Sequence, residues 1–464
     1  VDLSKIKKIY MIGIKGVGMT MLAEFLAHEG YEISGSDLAD KFMTDEVLKK
    51  AGIKVFENFD AKHLDDHFDL VVYSTAYNES NLELKTALEK KYKVATFAEV
   101  LGAVFNTHKG IAVCGSHGKT TVSAWLGFVL EGCGLEPNVM VGARVPQFKG
   151  SSLIGKSNLL VIEADEYQNK LQYFSPKAIV LNNIDYDHPD FFPDMESYEE
   201  VFAEFIAKLP KSGLLIANFD DSRVRRLAGV CLGRVVSYGF GKGADYIISE
   251  AKQDYANQYF VLKLKTEDGL TDIGSFRINL LGKHNIANAA AVIVTAIELG
   301  ADLNDLRRSL EEFTGTARRL QTLGTFRGAL ILDDYAHHPT EIKTTLEGVR
   351  KKYPKKNLRV VFHPHTFSRT EALLNDFAGS FLKANEVIVL NIYASAREAA
   401  GTISGEDVAR AIAGQAGAKQ SVKYLPTLEE AEDYLRSTAN GNDVIVLMGA
   451  GDVFRIGENL LGLI

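Results

Sequence analysis

Cysteine is scarce. The 464 residues include only Cys114, Cys133 and Cys231, an odd number without C-x-x-C spacing, which excludes a disulfide framework and a cysteine-based zinc site and leaves buried or idle thiols. No apolar run reaches the roughly 18 residues of a membrane span, and Val1 to Lys8 carries too much charge for the core of a signal peptide. The expectation is a cytoplasmic chain without membrane insertion. A basic stripe is missing too. With a net charge of -8, nucleic acid is not an expected partner, and a polyanionic ligand has to be held by local N–H groups, a lysine and a metal. Low-complexity segments and short-period repeats are absent.

What the chain does have is 46% hydrophobic and 24% charged residues, the balance of a soluble globular protein long enough for about three domains. Its most telling stretch is an apolar strand, Ile111-Ala112-Val113-Cys114, a loop, Gly115-Ser116-His117-Gly118, and Lys119-Thr120-Thr121 opening a helix from Val122 to Leu130. Backbone N–H groups reach a phosphate only where no Cβ intervenes, so Gly115 and Gly118 suit a phosphate cradle. Lys119 adds a point charge, and the Thr120 hydroxyl can ligate the Mg²⁺ that travels with a nucleoside triphosphate. Val113 stands where G-x-x-x-x-G-K-[ST] has its first glycine, so the loop is a shortened variant. The plainer alternative is a glycine-rich turn with an exposed lysine.

Upstream, strand Ile9 to Ile12, a turn with Gly13, Gly16 and Gly18, helix Met19 to His28, Gly30, and strand Glu32 to Ser34 before Asp37 form a β-α-β unit. Its spacing is G-x-x-G-x-G, because Lys15 and Met21 fill places the dinucleotide fingerprint reserves for glycine; a tight strand-to-helix turn explains it equally well. Strands at Ile53–Phe56 and Leu70–Ser74 follow, and a first domain ends near residue 107. The second continues through strands Leu159–Glu163, Ala178–Asn182 and Leu214–Asn218, a helix Tyr198–Lys208, antiparallel strands between Asp245 and Leu281, and helices Ile286–Glu298 and Leu303–Glu312. From about Gly315 the pattern is strand Ala329–Leu332, helix Thr340–Lys352, strand Leu358–Phe362, helix Glu371–Leu382, and strands Glu386–Leu390 and Val444–Met448, a third parallel-sheet unit.

Polar residues collect where strands end, which is where open α/β sheets hold ligands. Glu163-Ala164-Asp165-Glu166 and Asn182 to His188 offer carboxylates and an imidazole that can hold Mg²⁺ during phosphoryl transfer, or simply solvated loop acids. Gly282 to Asn288 precedes an alanine-rich helix; His284, Asn285 and Asn288 can meet an adenine, and Asn285 can equally cap the helix. Asp333 to Pro339 and His363 to Arg369 hold four of the eleven histidines. Without cysteine they suit carboxylate recognition through Arg369 better than zinc.

Together these motifs, with Arg318-Arg319, resemble the Mur ligase family over the whole chain. The resemblance implies an ATP-dependent amide ligase of peptidoglycan precursor synthesis with ATP and Mg²⁺. The implied α/β architecture is a Rossmann-like UDP-sugar-binding domain (1–107), a central P-loop ATPase domain with a small antiparallel sheet (108–314), and a C-terminal Rossmann-like amino-acid-binding domain (315–464). It further implies that Gly13, Gly16, Val17, Gly18, Met19, Ser36, Asp37, Ser74, Thr75 and His117 meet the UDP-sugar. ATP falls to Gly115, Ser116, His117, Gly118, Lys119, Thr120, Thr121, His284, Asn285, Asn288, Arg319 and Asp334. Mg²⁺ falls to Thr120, Glu163 and His188, the acceptor amino acid to Tyr335, His337, His365 and Arg369, and catalysis to Lys119, Glu163, His188 and Arg319. Many members bridge magnesium with a carbamylated lysine, but around Glu199 to Ala203 this chain offers none.

Within the family, the glycine turn, Gly35-Ser36-Asp37, Tyr335 to Pro339, His365 with Arg369-Thr370 and Gly449 to Asp452 look most like the members that join L-alanine to UDP-N-acetylmuramate, as monomer or homodimer. Asp187 to Asp194 resembles the members that attach recycled tripeptide to the same sugar nucleotide. Tyr167 to Leu171 departs from the Ser-Asp-x-Ser-Phe run of the alanine ligases, and Thr366 stands where they commonly have arginine. A P-loop switch is a third possibility, but its guanine-reading N-K-x-D run is missing.

Overall fold

The computed structural model describes all of the chain except residues 43, 255, 395–397, 399–400, 418–419 and 464. Three sheets follow one another. Strands β1 (Lys8–Ile12), β2 (Glu32–Ser36), β3 (Lys54–Phe56), β4 (Leu70–Tyr73) and β5 (Val94–Thr96) form a parallel sheet in the order β3-β2-β1-β4-β5. The order reverses beside β1, so the crevice beyond its C-terminal end, where the glycine turn sits, is a topological switch point.

The central sheet has ten strands: β6 (Lys109–Cys114), β7 (Asn138–Val145), β8 (Gly150–Leu153), β9 (Leu159–Glu163), β10 (Ala178–Leu181), β11 (Leu214–Asn218), β12 (Arg234–Gly239), β13 (Tyr246–Gln253), β14 (Gln258–Thr266) and β15 (Gly269–Ile278). Their order is β15-β14-β13-β12-β11-β10-β6-β9-β7-β8. β6 lies in the middle between β9 and β10, both parallel to it, which is why Ile111 to Cys114 are apolar and fully buried. The helix Lys119–Gly132 that follows packs Trp125 and its apolar neighbours into the core. The antiparallel strands expected from the sequence are formed, as an extension of the central sheet. β13 pairs in parallel with β12, and β14 and β15 extend the same sheet antiparallel. Alternation marks a strand but does not say which sheet edge receives it.

The third sheet comprises β16 (Gln321–Phe326), β17 (Ala329–Asp334), β18 (Asn357–Phe362), β19 (Glu386–Val389), β20 (Ser421–Tyr424) and β21 (Asp443–Met448) in the order β16-β17-β21-β18-β19-β20. It is parallel except for the edge strand β16, a hairpin partner of β17. The expected helix Glu371–Leu382 is instead two helices, Phe367–Ala372 and Leu374–Ser380, broken at Leu373 (φ −110°, ψ 17°). The expected helix from Tyr198 begins three residues earlier, at Met195, where Asp194 and Ser197 form a capping box.

Candidate functional site

The cradle is built as its sequence requires. Gly115 and Gly118 have φ of +120° and +81°. A Cβ at Gly115 would lie 2.7 Å from the Asn183 carbonyl oxygen, and one at Gly118 2.8 Å from Asn288 Oδ1. The loop is pinned to the end of β10: Ser116 N donates to Asn183 O at 3.1 Å and His117 N to Asn183 Oδ1 at 2.8 Å. Lys119 Nζ donates to Gly115 O (2.7 Å) and to both oxygens of Glu166 (2.9 and 3.2 Å). Glu166, itself buried, also accepts from Tyr198 Oη at 2.8 Å. Lys119 is therefore no loose surface lysine; burial alone would depress its basicity, but Glu166 and Asp165 hold it firmly charged.

Two cavities meet at this loop. One of about 330 Å³ is lined by His117, Gly118, Thr121, His284, Asn285, Asn288, Arg319 and Asp334, so the residues expected around a nucleoside do converge. Asn288 Nδ2 donates to Asn285 Oδ1 (3.0 Å), and Asn285 Nδ2 to Leu281 O (2.7 Å). Asn285 does not cap: the helix Lys283–Glu298 is preceded by Gly282. Burial holds His284 neutral, with a pKa of about 4, and raises that of Asp334 to about 6, against the pull of Arg319 and the Thr345 hydroxyl.

The second cavity, about 500 Å³, takes Val17 from the first domain, Ser116, His117, Gly118, Lys119, Thr120, Glu163 and His188 from the central one, and Arg319, Tyr335, His337, His365 and Arg369 from the third. Thr120 Oγ1 donates to Glu163 Oε1 at 2.7 Å, and Gly142 N to Glu163 Oε2 at 2.7 Å. His188, at φ +58°, groups instead with Asp165 and Glu166, their ligand atoms within 4.8 Å of one another. The expected metal set thus falls into two neighbouring groups. These oxygen-rich groups beside a glycine cradle fit a magnesium-bound triphosphate. Glu199 is not among them; it pairs with Arg223 at 3.1 Å.

Arg369 is buried and donates through Nε to Asp187 Oδ1 (2.7 Å), with NH1 3.2 Å from His365 Nδ1. Burial and the Arg369 charge keep the imidazoles of His337 and His365 neutral, at pKa values of about 3 and 4. Of the four histidines in the two third-domain loops, His338 turns to Asp185 and Tyr186 rather than to the others. Among the described residues no metal-binding group includes His337, His363 or His365.

Glu341, on the first turn of the helix Pro339–Lys352, is the main residue that sequence reasoning missed. It stands 3.3 Å from His117 Nδ1, 3.5 Å from Arg319 and 3.7 Å from His337. Its spacing of four from His337 was the available signal. Asp185 Oδ2 lies 3.0 Å from His117 Nε2 and accepts from Thr340 Oγ1 at 2.6 Å. Burial opposes charge on His117, but the hydrogen bonds to Asp185 and Glu341 raise its pKa to about 9.

In the first domain Gly13, with φ +81°, is covered by Tyr77, whose ring a Cβ there would meet at 2.6 Å; Ser74 stands beside it. Gly16 closes the turn by donating to Gly13 O (3.3 Å), and Met19 is buried in the helix Val17–His28. Gly18 faces Phe97 in a third cavity of about 200 Å³ between the first two domains. Ser36 and Asp37 are buried and internally bonded, Ser36 to Glu83 and Asp37 to Lys15 N (2.7 Å) and Tyr77 Oη (3.0 Å). Thr75 follows β4 in the same turn. Among these, only Val17 and Gly18 line a described cavity.

Three family models match consecutive stretches: the Mur ligase family catalytic domain over residues 8–109, the Mur ligase middle domain over 113–296, and the Mur ligase glutamate ligase domain over 318–451. The UDP-N-acetylmuramate–L-alanine ligase of Desulfitobacterium hafniense is 38% identical over 98% of this chain and 99% of its own. Among solved structures, the UDP-N-acetylmuramate–alanine ligase of Thermotoga maritima (TM-score 0.81, 24% identity) and a murein peptide ligase of Psychrobacter arcticus (TM-score 0.75, 23% identity) each share the fold over 98% of both chains. With all three domain models in sequence and a relative matched along nearly the full length, this chain belongs to the Mur ligase family.

Proposed function

We propose that the protein is an ATP-dependent ligase that joins L-alanine to the lactyl carboxylate of UDP-N-acetylmuramate, releasing ADP and phosphate, in cytoplasmic peptidoglycan precursor synthesis. The observation that carries this reading is the 500 Å³ cavity, where one residue of the first domain, the cradle and the His365–Arg369 loop of the third face one space. The relatives' L-alanine ligase names support it. A simple P-loop switch would have no use for a third domain facing its cradle.

The first domain takes the UDP-sugar, the second the phosphates of ATP, and the third the amino acid and the far side of ATP. The lactyl carboxylate attacks the γ-phosphorus as ADP leaves, the alanine amine attacks the resulting acyl phosphate, and phosphate departs from the tetrahedral intermediate. Lys119 and Arg319 counter the anionic charge. Thr120 with Glu163, and His188 with Asp165 and Glu166, would hold Mg²⁺, which would supply further neutralisation. Neutral His337, whose Nδ1–H donates to Tyr335 O, leaves Nε2 as an acceptor for the amine, His365 accepts from Arg369 through Nδ1, and Arg369, oriented by Asp187, receives the alanine carboxylate. Closure of the third domain over the cradle excludes water from the acyl phosphate.

The tripeptide reading rests on the resemblance of Asp187 to Asp194, within which Phe192 is buried against Tyr198 and serves packing. ADP release, measured with UDP-N-acetylmuramate and a panel of amine acceptors, tests the proposal. No release with L-alanine rejects it.

A further inference from the structure

Between Glu166 and Phe174 the chain makes a turn that local preferences do not favour. Gln168 (φ 57°, ψ 28°) and Asn169 (φ 52°, ψ 39°) are consecutive left-handed residues, neither a glycine. Strain of this kind persists where the surroundings impose it, and it concentrates at functional sites. Here it turns Lys170 back to the end of β9, where Nζ donates to Asp165 Oδ2 at 2.5 Å.

Lys170 lines the 200 Å³ cavity, whose walls are Met21, Phe97 and Leu101 of the first domain and Met140, Ile162 and Phe174 of the central one. Asp165, Glu163 and Gly142 line both this cavity and the reaction cavity, so the Lys170 ammonium stands where the two join. Of the other cations there, Lys119 pairs with Glu166, Arg369 with Asp187, Arg319 with Glu341 and Arg318 with Asp333, which leaves Arg144 on the rim. Asp165 takes one of the three Lys170 donors, and an ammonium can serve a second carboxylate.

We propose, resting on the function above, that Lys170 holds the lactyl carboxylate of the sugar nucleotide at this junction, beside the cradle, while the apolar walls receive the methyl groups of the muramoyl unit. The carboxylate that must meet the γ-phosphate is then fixed by a charge separate from those that hold the phosphates. Arg144, exposed on the rim of the reaction cavity, is the competing cation.

The test is equilibrium binding, without ATP or alanine, of UDP-N-acetylmuramate and of UDP-N-acetylglucosamine, which lacks the lactyl ether. The intact protein is expected to prefer the lactyl-bearing nucleotide by about 10- to 100-fold, the range of one charge-assisted hydrogen bond. Lys170→Met and Lys170→Gln should bring that ratio near unity with the affinity for UDP-N-acetylglucosamine unchanged. Lys170→Arg and Arg144→Ala should keep it. A preserved ratio in both neutral Lys170 variants, equal loss of both ligands, or collapse in Arg144→Ala instead overturns the assignment. Failure of the intact protein to bind UDP-N-acetylmuramate overturns the proposed function itself.

Discussion

Arg369 of the third domain and Asp187 of the central one form a buried ion pair, Nε to Oδ1 at 2.7 Å, with side chains 5% and 6% exposed. The guanidinium proposed to receive the acceptor carboxylate is therefore also a bolt between domains. Arg369→Ala should both raise KM for L-alanine and destabilise the protein by about 3–5 kcal/mol, because Asp187 is left charged and buried. Adding Asp187→Asn should restore much of that stability but not the KM. Urea unfolding of the native protein and both variants, alongside KM, separates the roles; an unchanged midpoint for Arg369→Ala rules out the structural one.

Lys119→Ala removes the cradle's charge and strands Glu166. ADP release should fall by at least about 100-fold, with a stability loss of about 3–5 kcal/mol. Near-normal turnover in a folded variant would falsify the assignment of the cradle.

Alanine substitution of the two cradle glycines should rank in a defined order. A Cβ at Gly118 meets the movable Asn288 side chain, whereas one at Gly115 meets backbone at Asn183. Both positions carry positive φ, at a cost of about 1–2 kcal/mol for a side chain. Gly115→Ala should lose more stability and more ATP affinity than Gly118→Ala in thermal unfolding and nucleotide titration. The reverse ranking would contradict the geometry.

His117 gives a pH signature. Its folded pKa, about 9, lies above the unfolded value near 6.5, so the stabilisation is complete below about pH 6.5 and is lost as pH rises through 9. The amount is on the order of 3 kcal/mol. Urea midpoints at pH 6, 7.5 and 9 should converge between the native protein and His117→Gln as pH rises. A constant gap would show that the imidazolium is not what joins Asp185 and Glu341.

Acceptor choice follows from enclosure by Tyr335, His337 and His365. Glycine and serine should be poorer than L-alanine in kcat/KM by about 1–3 kcal/mol, not rejected outright. L-Alanyl-γ-D-glutamyl-diaminopimelate should be poorer still, and a higher kcat/KM for that tripeptide would transfer the protein to the other acceptor class.

The cradle could be read from sequence because strand, glycine loop and lysine are contiguous and each residue type answers a local steric or electrostatic demand. His284 and Asn288 could be read toward an adenine from their own loop, but their convergence with Arg319 and Asp334 on one cavity followed from family resemblance. Glu341 escaped notice because a glutamate in the first turn of a helix ordinarily serves the helix dipole, and its partners come from distant loops. Ser36 and Asp37 were placed correctly at the end of β2, but sequence could not reveal that Glu83, Lys15 and Tyr77 already occupy them. Nothing at Leu373 announces a helix break, since neither proline nor glycine stands there.

The central position of β6 also has a cost during synthesis. Its two neighbours, β9 and β10, emerge tens of residues later, which at about 5–20 residues per second leaves Ile111 to Cys114 waiting for several seconds. In the first sheet β1 waits similarly for β4, but that sheet is complete at Thr96, before β6 emerges. A ribosome stalled before Leu159 would therefore hold a finished first domain followed by an unpaired apolar strand, the kind of segment that chaperones shield and that aggregates when they do not.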